Sequence, residues 1–421
     1  MKKSFNLVAA IALLAVGALA SCGNNTGKDE GPKDITLTFS GPTDNQTFYE
    51  GLFTKFVEAR KAAGDKNTYT IKYIQHGEDK IDSEVTDWAG EGAPDVYCYA
   101  SDKILPLYAA GALAELRGEY KDFVTTQNNE GNVGLATFNG KVLAYPYDGS
   151  NTYFLYYDKT VFTTAPTTWE EISAKCAETK AKFAYPLTTG FYSAAEVVSF
   201  GAGWELTLDK KGAVTKIEAD FNTDKGYKAG KAMKKIMRDP SFQLSQVAPL
   251  AKDGVIACVD GTWNYASYKE KMGDSFACTI MPTITIDGET KITKSFLGGK
   301  LLGVNPAKGD DAKLVASHEL AKFITSKDIQ LERYNALGTL PTNKEALNDA
   351  KVAKSDIARI ITAQSAANGY LPQSALPSKI WNAPEVLAKA MIDETKTDAD
   401  YTDAYIQQLM DQLNVTVETV E

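Results

Sequence analysis

Aromatic and polar side chains occur together directly after several apolar runs of this sequence. Tyr99, Asp102 and Lys103 follow the run DVYC. Similar mixtures after other runs are Tyr147-Asp148-Gly149-Ser150-Asn151, Phe191-Tyr192, Trp263-Asn264-Tyr265 and Trp381. Aromatic rings offer broad apolar faces, and the polar side chains offer directed hydrogen bonds. This combination suits a sugar, which has C–H patches on its ring faces and hydroxyl groups around its edge.

Any one of these aromatic residues could equally belong to the core, because tryptophan and tyrosine are commonly mostly buried. What favours a ligand site is their repeated position at the ends of apolar runs. In open α/β sheets, ligands bind beyond the carboxyl ends of strands, where loops carry side chains into the crevice. We therefore expect these residues to meet in one cleft.

The elements that must position these residues alternate along the chain. Strand-like and helix-like runs follow one another, which is the pattern of an α/β fold. The predicted strands are Ile35–Phe39, Tyr69–Ile74, Asp95–Tyr99, Leu143–Tyr147 and Phe154–Tyr157, and the predicted helices are Phe48–Ala62, Lys103–Gly111 and Thr168–Lys182.

The third of these helices has a clear start signal. Thr168 can cap it, and Glu171 falls three residues later, which together predict a capping box. Trp169 and the acidic pair Glu170-Glu171 are therefore better explained as the start of a helix than as an active site.

Composition and charge limit the classes of partner. The 421 residues are 44% apolar and 24% charged, which is typical of a globular protein. The formal net charge is −9, with 54 acidic against 45 basic side chains. A net acidic surface argues against nucleic acid as a partner.

The N-terminus has the features of an export signal. In residues 1–21 two lysines precede a mostly apolar run, which is short for a membrane span. The motif LASC ends at Cys22 and is similar to a bacterial lipobox, so Cys22 is predicted to carry a lipid after cleavage. An ordinary signal peptide with an unrelated cysteine is the alternative. Residues 22–34 are typical of a flexible tether, which places the folded protein outside the cytoplasmic membrane.

The remaining cysteines are Cys98, Cys176, Cys258 and Cys278. We expect free thiols, because a chain of this length can hold a core without disulfides and two of the four lie in apolar runs. Cys258 and Cys278 are the one pair that could be bonded.

Metal sites have little support in the sequence. His76 and His318 are the only histidines, so no metal and no cofactor is predicted. The acidic segment Asp393–Asp403 lacks the glycine and the terminal glutamate of an EF-hand loop. We interpret it as a solvated loop before the last helix.

Several long stretches span most of the chain. They are GAPDVYCYASDKILPLYAAGALAEL, FNGKVLAYPYDGSNTYFLYYDKTVF followed by TTWEEI, GVIACVDGTWNYAS, FACTIMPTI, and SFLGGKLLGVN followed by ELAKFITSKDIQLERYNALGTLPTNKEAL. In sequence and in order they resemble the carbohydrate-binding lipoproteins of bacterial ABC importers, the maltose-binding-protein type of extracellular solute-binding protein.

The resemblance implies an α/β, two-lobe periplasmic-binding-protein-like fold of class II, with hinge strands and an interlobe ligand cleft. Lobe I would comprise residues 35–148 plus 302–337, and lobe II residues 149–297 plus 343–421. Hinges are expected near residues 148–151, 296–301 and 338–342. Such a protein, expected to be a monomer, closes on a sugar and delivers it to an ABC permease.

The resemblance also assigns individual positions. Tyr99 falls where the family has a stacking aromatic residue, and Asp102-Lys103 where it has an Asp-Arg pair. Trp263 matches the tryptophan of a Gly-x-Trp turn, and Trp381 the last stacking tryptophan. The complete predicted ligand-binding set is Asp44, Tyr99, Asp102, Lys103, Asn151, Phe191, Tyr192, Trp263, Gly299 and Trp381.

Two departures bear on the identity of the sugar. In the first loop, where maltose binders have an Asp-Lys pair, only Asp44 is a plausible hydroxyl acceptor. Around Ser150 and Asn151, where they carry a glutamate, this chain has none. These departures argue against maltose itself but not against a sugar. Two alternatives from other classes are a binder of another solute, such as a peptide, a polyamine or a chelated metal, and a glycoside-cleaving enzyme. Such an enzyme needs paired carboxylates, for which Asp102, Asp148 and Asp260 are the candidates.

Replacing Cys22 tests the predicted lipid anchor. Cys22→Ser should release the protein from the membrane or leave an unprocessed precursor, because serine cannot form the thioether to lipid. Fractionation and mass measurement of the wild type and the variant check this. A variant as membrane-bound and as fully processed as the wild type would contradict the assignment.

Overall fold

The computed structural model describes residues 31–209, 214–244, 249–308, 311–372 and 376–418. The predicted signal segment and Cys22 lie outside the described residues.

The strands are β1 (Asp34–Gly41), β2 (Thr68–Gln75), β3 (Val96–Ala100), β4 (Thr137–Phe138), β5 (Lys141–Val142), β6 (Tyr145–Asp158), β7 (Lys182–Ala184), β8 (Trp204–Leu208), β9 (Val214–Ala219), β10 (Phe242–Gln243), β11 (Val255–Gly261), β12 (Phe276–Thr279), β13 (Thr283–Ile286), β14 (Glu289–Ile292), β15 (Ser295–Val304) and β16 (Tyr370–Pro372).

Helices lie between these strands and cover the sheet. They are α1 (Gln46–Ala62), α2 (Ile81–Glu84), α3 (Ile104–Ala109), α4 (Gly118–Gln127), α5 (Glu130–Leu135), α6 (Trp169–Thr179), α7 (Gly190–Glu196), α8 (Asp224–Met237), α9 (Tyr265–Met272), α10 (Asp311–Ile324), α11 (Lys327–Leu337), α12 (Lys344–Leu347), α13 (Ala350–Ala353), α14 (Asp356–Ala366), α15 (Ser378–Met391) and α16 (Asp403–Glu418). The mixed α/β class predicted from the sequence is confirmed.

One large sheet runs through the molecule in the order β10-β7-β11-β6-β15-β3-β1-β2. The first part of β6 pairs with β15, antiparallel, from Tyr145 to Thr152. Its second part, from Tyr153 onward, pairs with β11 and β12. The predicted strands Leu143–Tyr147 and Phe154–Tyr157 are thus joined in one long strand, because the residues between them also find a partner in β15.

The buried apolar residues form two sets on either side of this β6–β15 pair. The first core is built from residues 35–147 and 301–329. The second core is built from residues 153–296 and 340–417. The lobe boundaries given above stay a prediction, and this division of the apolar residues supports them.

The start of α6 is as predicted. The Thr168 hydroxyl accepts a hydrogen bond from the Glu171 backbone N–H at 3.0 Å, and the Glu171 carboxylate accepts one from the Thr168 backbone at 3.2 Å. Trp169 is buried, and its indole N–H donates to the Thr293 hydroxyl at 2.8 Å. Trp169 and Glu171 therefore have structural roles at the start of this helix.

The structure also shows the state of the cysteines and of the acidic segment before the last helix. Cys98, Cys176, Cys258 and Cys278 are buried free thiols, as expected. The acidic segment forms a short 3-10 turn, Asp398–Asp400, before α16. Within the described ranges, no group of three or more His, Cys, Asp or Glu side chains is arranged to hold a metal ion. None of the helices in those ranges is long and apolar enough to cross a membrane.

Candidate functional site

A cavity of about 920 Å³ lies beside the crossing strands β6 and β15. Segments that carry the first core line one side, and segments that carry the second core line the other. Predicted site residues that line it are Asp102, Lys103, Asn151, Phe191, Tyr192, Trp263 and Trp381. The structure therefore brings together side chains that lie up to 279 residues apart in the sequence.

Three predicted residues do not line the cavity. Tyr99 is 0% exposed and packs against the Tyr97 ring in the first core. Asp44 is exposed on a 3-10 turn, where Pro42 lines the cavity instead. Gly299 lies toward Leu135, on the opposite side of β15.

The positions of Tyr99 and Gly299 outside the cavity lining share a physical cause. Successive residues of a strand point to opposite faces, so an error of one position moves a side chain to the other side of the sheet. Ala100 and Lys300, each one residue further along, line the cavity. The position of Tyr99 therefore gives no support to a stacking role.

An aromatic wall, defined as Phe191, Tyr192, Trp263 and Trp381, forms one side of the cavity. The Phe191 ring lies 6.2 Å from the Trp263 ring and 6.3 Å from the Trp381 ring, between centroids. Phe296 supports this wall from behind, 5.9 Å from Phe191 and 4.9 Å from Trp381. The rings present a continuous apolar surface of the kind that stacks on sugar rings.

The segment that bears Phe191 packs closely on α15. A Cβ at Gly190, the first residue of α7, would collide with the carbonyl oxygen of Trp381. Glycine at this position therefore lets the two elements approach until their aromatic side chains share one surface.

Trp263 is presented to the cavity by the turn after β11. The Asp260 carboxylate accepts hydrogen bonds from the Gly261 N–H at 2.7 Å, the Asn264 amide at 3.0 Å and the Tyr268 hydroxyl at 2.6 Å. Burial raises the pKa of Asp260, and these donors partly offset that rise. The indole lies directly over Gly261, where a Cβ would collide with its ring, and 47% of Trp263 is exposed. Trp263 is thus not a core residue.

A polar wall faces the aromatic one and consists of Glu78, Asp79, Asp82, Asp102, Lys103 and Lys300. Sequence analysis missed several of these residues. Glu78 comes shortly after the strand β2. The same signal that indicated the other site residues, polar side chains after the end of a strand, could therefore have found it. Lys300 is the one charged residue in the apolar strand β15. A charge in such a strand needs a partner, which by itself indicates a possible site.

Glu78 and Lys300 form a buried ion pair at the floor of the cavity. The Tyr147 hydroxyl donates to the same carboxylate, and the Arg333 guanidinium stacks on the Tyr147 ring at 4.2 Å. Burial raises the pKa of Glu78, but the charges of Lys300 and Arg333 outweigh it, so that pKa lies below its ordinary value. Both members of the pair are therefore charged at neutral pH.

The environment of Asp102, in the polar wall, disfavours the ionised form of its carboxylate. Burial raises its pKa to about 6, and the negative charges of Asp82 and Asp79 add to this rise. The Lys103 ammonium lies 3.9 Å from Asp102 and 3.7 Å from Asp82, and its charge opposes the rise. An ionised Asp102 accepts hydrogen bonds only, which suits a hydroxyl donor.

The raised pKa of Asp102 predicts a pH-dependent stability difference. The folded chain holds this proton up to about pH 6, whereas the unfolded chain releases it near the ordinary value of 3.8, so ionised Asp102 lowers stability at neutral pH. Asp102→Asn should raise the melting temperature at neutral pH. Its advantage over the wild type should shrink as the pH falls from about 6 to about 4.

Melting curves over this pH range measure the effect, with Asp44→Asn, an exposed carboxylate away from the cavity, as the control. A difference between Asp102→Asn and the wild type that does not change with pH would contradict the raised pKa.

The chain is similar in sequence and in fold to several known proteins. The maltodextrin-binding protein MdxE of Bacillus subtilis (strain 168) is 25% identical over 411 residues, covering 92% of each chain. The galactooligosaccharide-binding protein of the same organism is 25% identical over 308 residues, covering 70% of each. A structure solved with acarbose shares 27% identity at a TM-score of 0.78, covering 91% of this chain and 99% of that one.

A maltodextrin-binding protein from L. casei BL23, solved without ligand, has the same fold at 23% identity and a TM-score of 0.76, covering 92% of this chain and all of that one. The two-lobe fold class expected from the sequence is thereby confirmed. A family model described as bacterial extracellular solute-binding protein matches residues 55–359. The chain belongs to the bacterial extracellular solute-binding protein family.

Proposed function

We propose that this protein captures a sugar, and more specifically an oligosaccharide, between its aromatic and polar walls. The observation that carries the proposal is the cavity of about 920 Å³ with aromatic rings on one side and carboxylate and ammonium groups on the other. Related chains named for galactooligosaccharide and maltodextrin binding, and a similar structure solved with acarbose, support this class of ligand.

The two walls would act on different parts of the sugar. The rings of the aromatic wall would cover the C–H faces, while the carboxylates accept hydrogen bonds from hydroxyl groups and the lysines donate to them. Selectivity would follow from which hydroxyl groups find partners, because an unpaired buried polar group costs about 1 to 3 kcal/mol.

The proposed role is binding without catalysis. Asp102, Asp148 and Asp260 are the three carboxylates that could supply a hydrolytic pair. Two of them, Asp148 and Asp260, accept hydrogen bonds from neighbouring residues of the fold. Asp148 accepts from the Ser150 N–H at 2.8 Å and from its hydroxyl at 2.7 Å, and Asp260 holds the turn before Trp263. Neither of them lines the cavity, so these three carboxylates do not form a pair across it.

The mechanism of capture would be closure of two lobes about the crossing strands. The separate apolar cores on either side of β6 and β15 support such a motion about hinges near 148–151, 296–301 and 338–342. The closed, monomeric protein would then deliver its sugar to an ABC permease. Lipid on Cys22 would hold it at the outer face of the cytoplasmic membrane.

Replacing Trp263 tests both the ligand class and the site. Trp263→Ala should lower sugar affinity more than tenfold, because removing a central aromatic anchor costs about 2 kcal/mol or more. Its melting temperature without ligand should change little, since nearly half of the residue is exposed. Calorimetric titration with maltotetraose and with galactooligosaccharides, together with melting curves, measures both quantities.

Trp204→Ala is the matched control, because Trp204 is also partly exposed but lies outside the cavity. It should leave the affinity within about twofold of the wild type. Absence of binding heat with every sugar tested would overturn the proposed ligand class. Unchanged affinity in Trp263→Ala would remove this residue from the site.

Gly261→Ala probes how the indole is presented. The backbone of Gly261 has φ −77° and ψ 157°, which alanine adopts freely, but the added methyl group would displace the Trp263 ring. We expect roughly a fivefold loss of affinity, about 1 kcal/mol. Gly134→Ala, where a Cβ would meet open space, is the control and should bind like the wild type. Equal affinities for the two variants would show that the indole position is not critical.

A further inference from the structure

A buried carboxyl group lies at the end of the helix that carries two residues of the aromatic wall. Glu196 is the last residue of α7, the helix that also carries Phe191 and Tyr192, and it is 0% exposed. Neither of its carboxyl oxygens makes a hydrogen bond of ordinary geometry within the described part of the chain. The same holds there for the hydroxyl groups of Tyr185 and Thr188.

Aromatic rings connect the surroundings of Glu196 to the cavity. The Tyr153 ring packs 4.5 Å from the Tyr192 ring, and its hydroxyl donates to the Phe191 carbonyl at 3.2 Å. The Tyr185 ring stacks on Trp169 at 5.5 Å and meets Tyr192 edge-on at 6.1 Å. A change at the carboxyl group would therefore reach Phe191 through directly contacting rings.

The charge state of Glu196 follows from this environment. Burial raises its pKa to about 8. The Tyr185 hydroxyl is close enough to oppose this rise in part, although the two groups do not reach the geometry of an ordinary hydrogen bond. The titratable groups that interact with it are Tyr185, from the segment after β7, and Tyr153 of β6. No ammonium or guanidinium group of the described residues contributes to its pKa.

The elements packed against α7 do carry charged side chains, namely Lys300 on β15 and Lys379, Glu385 and Lys389 on α15. Lys294 precedes β15, and its backbone N–H donates to the Ser199 hydroxyl at 3.0 Å. None of these groups contributes to the pKa of Glu196. From β15 and α15, the side chains that meet this helix at the aromatic wall are Phe296 and Trp381, which are uncharged. A carboxylate at this place would be desolvated without compensation, whereas the neutral acid is tolerated.

We infer that Glu196, as a neutral carboxylic acid, is a positioning residue for the aromatic wall, and that its ionisation displaces this wall and weakens sugar binding at alkaline pH. The part of this inference that concerns affinity rests on the proposed function. The part that concerns the wall can be measured on the ligand-free protein.

The direction of the pH effect follows from linkage. The unfolded chain releases this proton near the ordinary value of 4.5, while the folded chain holds it to about pH 8. The folded chain thus binds more protons than the unfolded chain between these values, so stability falls as the pH rises through this interval. Above about pH 8 the carboxylate is also ionised in the folded protein, and the aromatic wall must accommodate a buried charge.

The experiment compares the wild type with Glu196→Gln, which keeps a neutral polar group of the same shape. Near-ultraviolet circular dichroism of the ligand-free proteins is recorded from about pH 7 to about pH 9.5, with melting temperatures in the same buffers. The wild-type aromatic signal should change with a midpoint near pH 8, and the signal of Glu196→Gln should stay constant. Glu196→Gln should also melt at a higher temperature than the wild type throughout.

Titration with maltotetraose then links the wall to binding. Wild-type affinity should fall at least threefold from about pH 7 to about pH 9.5, and Glu196→Gln should keep its affinity. Asp102→Asn should retain the alkaline loss, since Asp102 titrates near pH 6. Glu196→Leu, which removes the polar group altogether, should lose affinity at every pH if the carboxyl group positions the rings.

A wild-type aromatic signal that stays constant to about pH 9.5, or a Glu196→Gln signal that changes like the wild type, overturns the inference. Because these two measurements need no sugar, they separate its failure from failure of the proposed function. If the aromatic signal changes as expected but no sugar binds, the positioning role of Glu196 is supported and the proposed ligand class is wrong.

Discussion

The antiparallel pairing of β6 with β15 is the interaction on which the rest of this molecule depends. These two strands lie at the centre of the large sheet, and the apolar residues before and after them pack into separate cores. The register of the pair, with Leu297 opposite Thr152 and Leu302 opposite Tyr145, therefore sets where the segments of one core lie relative to those of the other.

This register is irregular on both sides of Lys300. Such irregularities bend a strand and redirect its side chains. Lys300 consequently lies at the floor of the cavity, paired with Glu78, while Gly299 lies on the opposite side of the strand. The crossing pair thus joins the two cores and also contributes a charge to the site between them.

The two walls of the cavity have different physical roles. The aromatic wall is backed by ring contacts that extend into the second core, so its surface is supported by packing. The polar wall concentrates carboxylates around two lysines in a partly buried place, where charges interact strongly because water is scarce. Contacts between the rings and a ligand bury apolar area and so contribute affinity. A polar group of the ligand or the site that is left without a hydrogen-bond partner costs enough free energy to decide which ligand is accepted.

Local patterns in the sequence were sufficient for elements whose interactions are themselves local. The capping box at Thr168 involves residues three positions apart, and its prediction is confirmed. The strand β6 was divided wrongly in two, because the polar run Asp148-Gly149-Ser150-Asn151 between the two apolar stretches resembles a loop. Its continuity comes from β15, a strand about 150 residues away, and a local pattern cannot show that partner.

The sequence by itself determined the α/β class, the family and all four residues of the aromatic wall, because aromatic residues after apolar runs mark the ends of strands. Only the tertiary structure decided that Tyr99 is in the core, that Lys300 and Glu78 form the floor of the cavity, and that Glu196 is buried at the end of α7. The physical reason is that the exposure of a side chain depends on strand register and on partners distant in sequence. A shift of one residue changes the face it occupies.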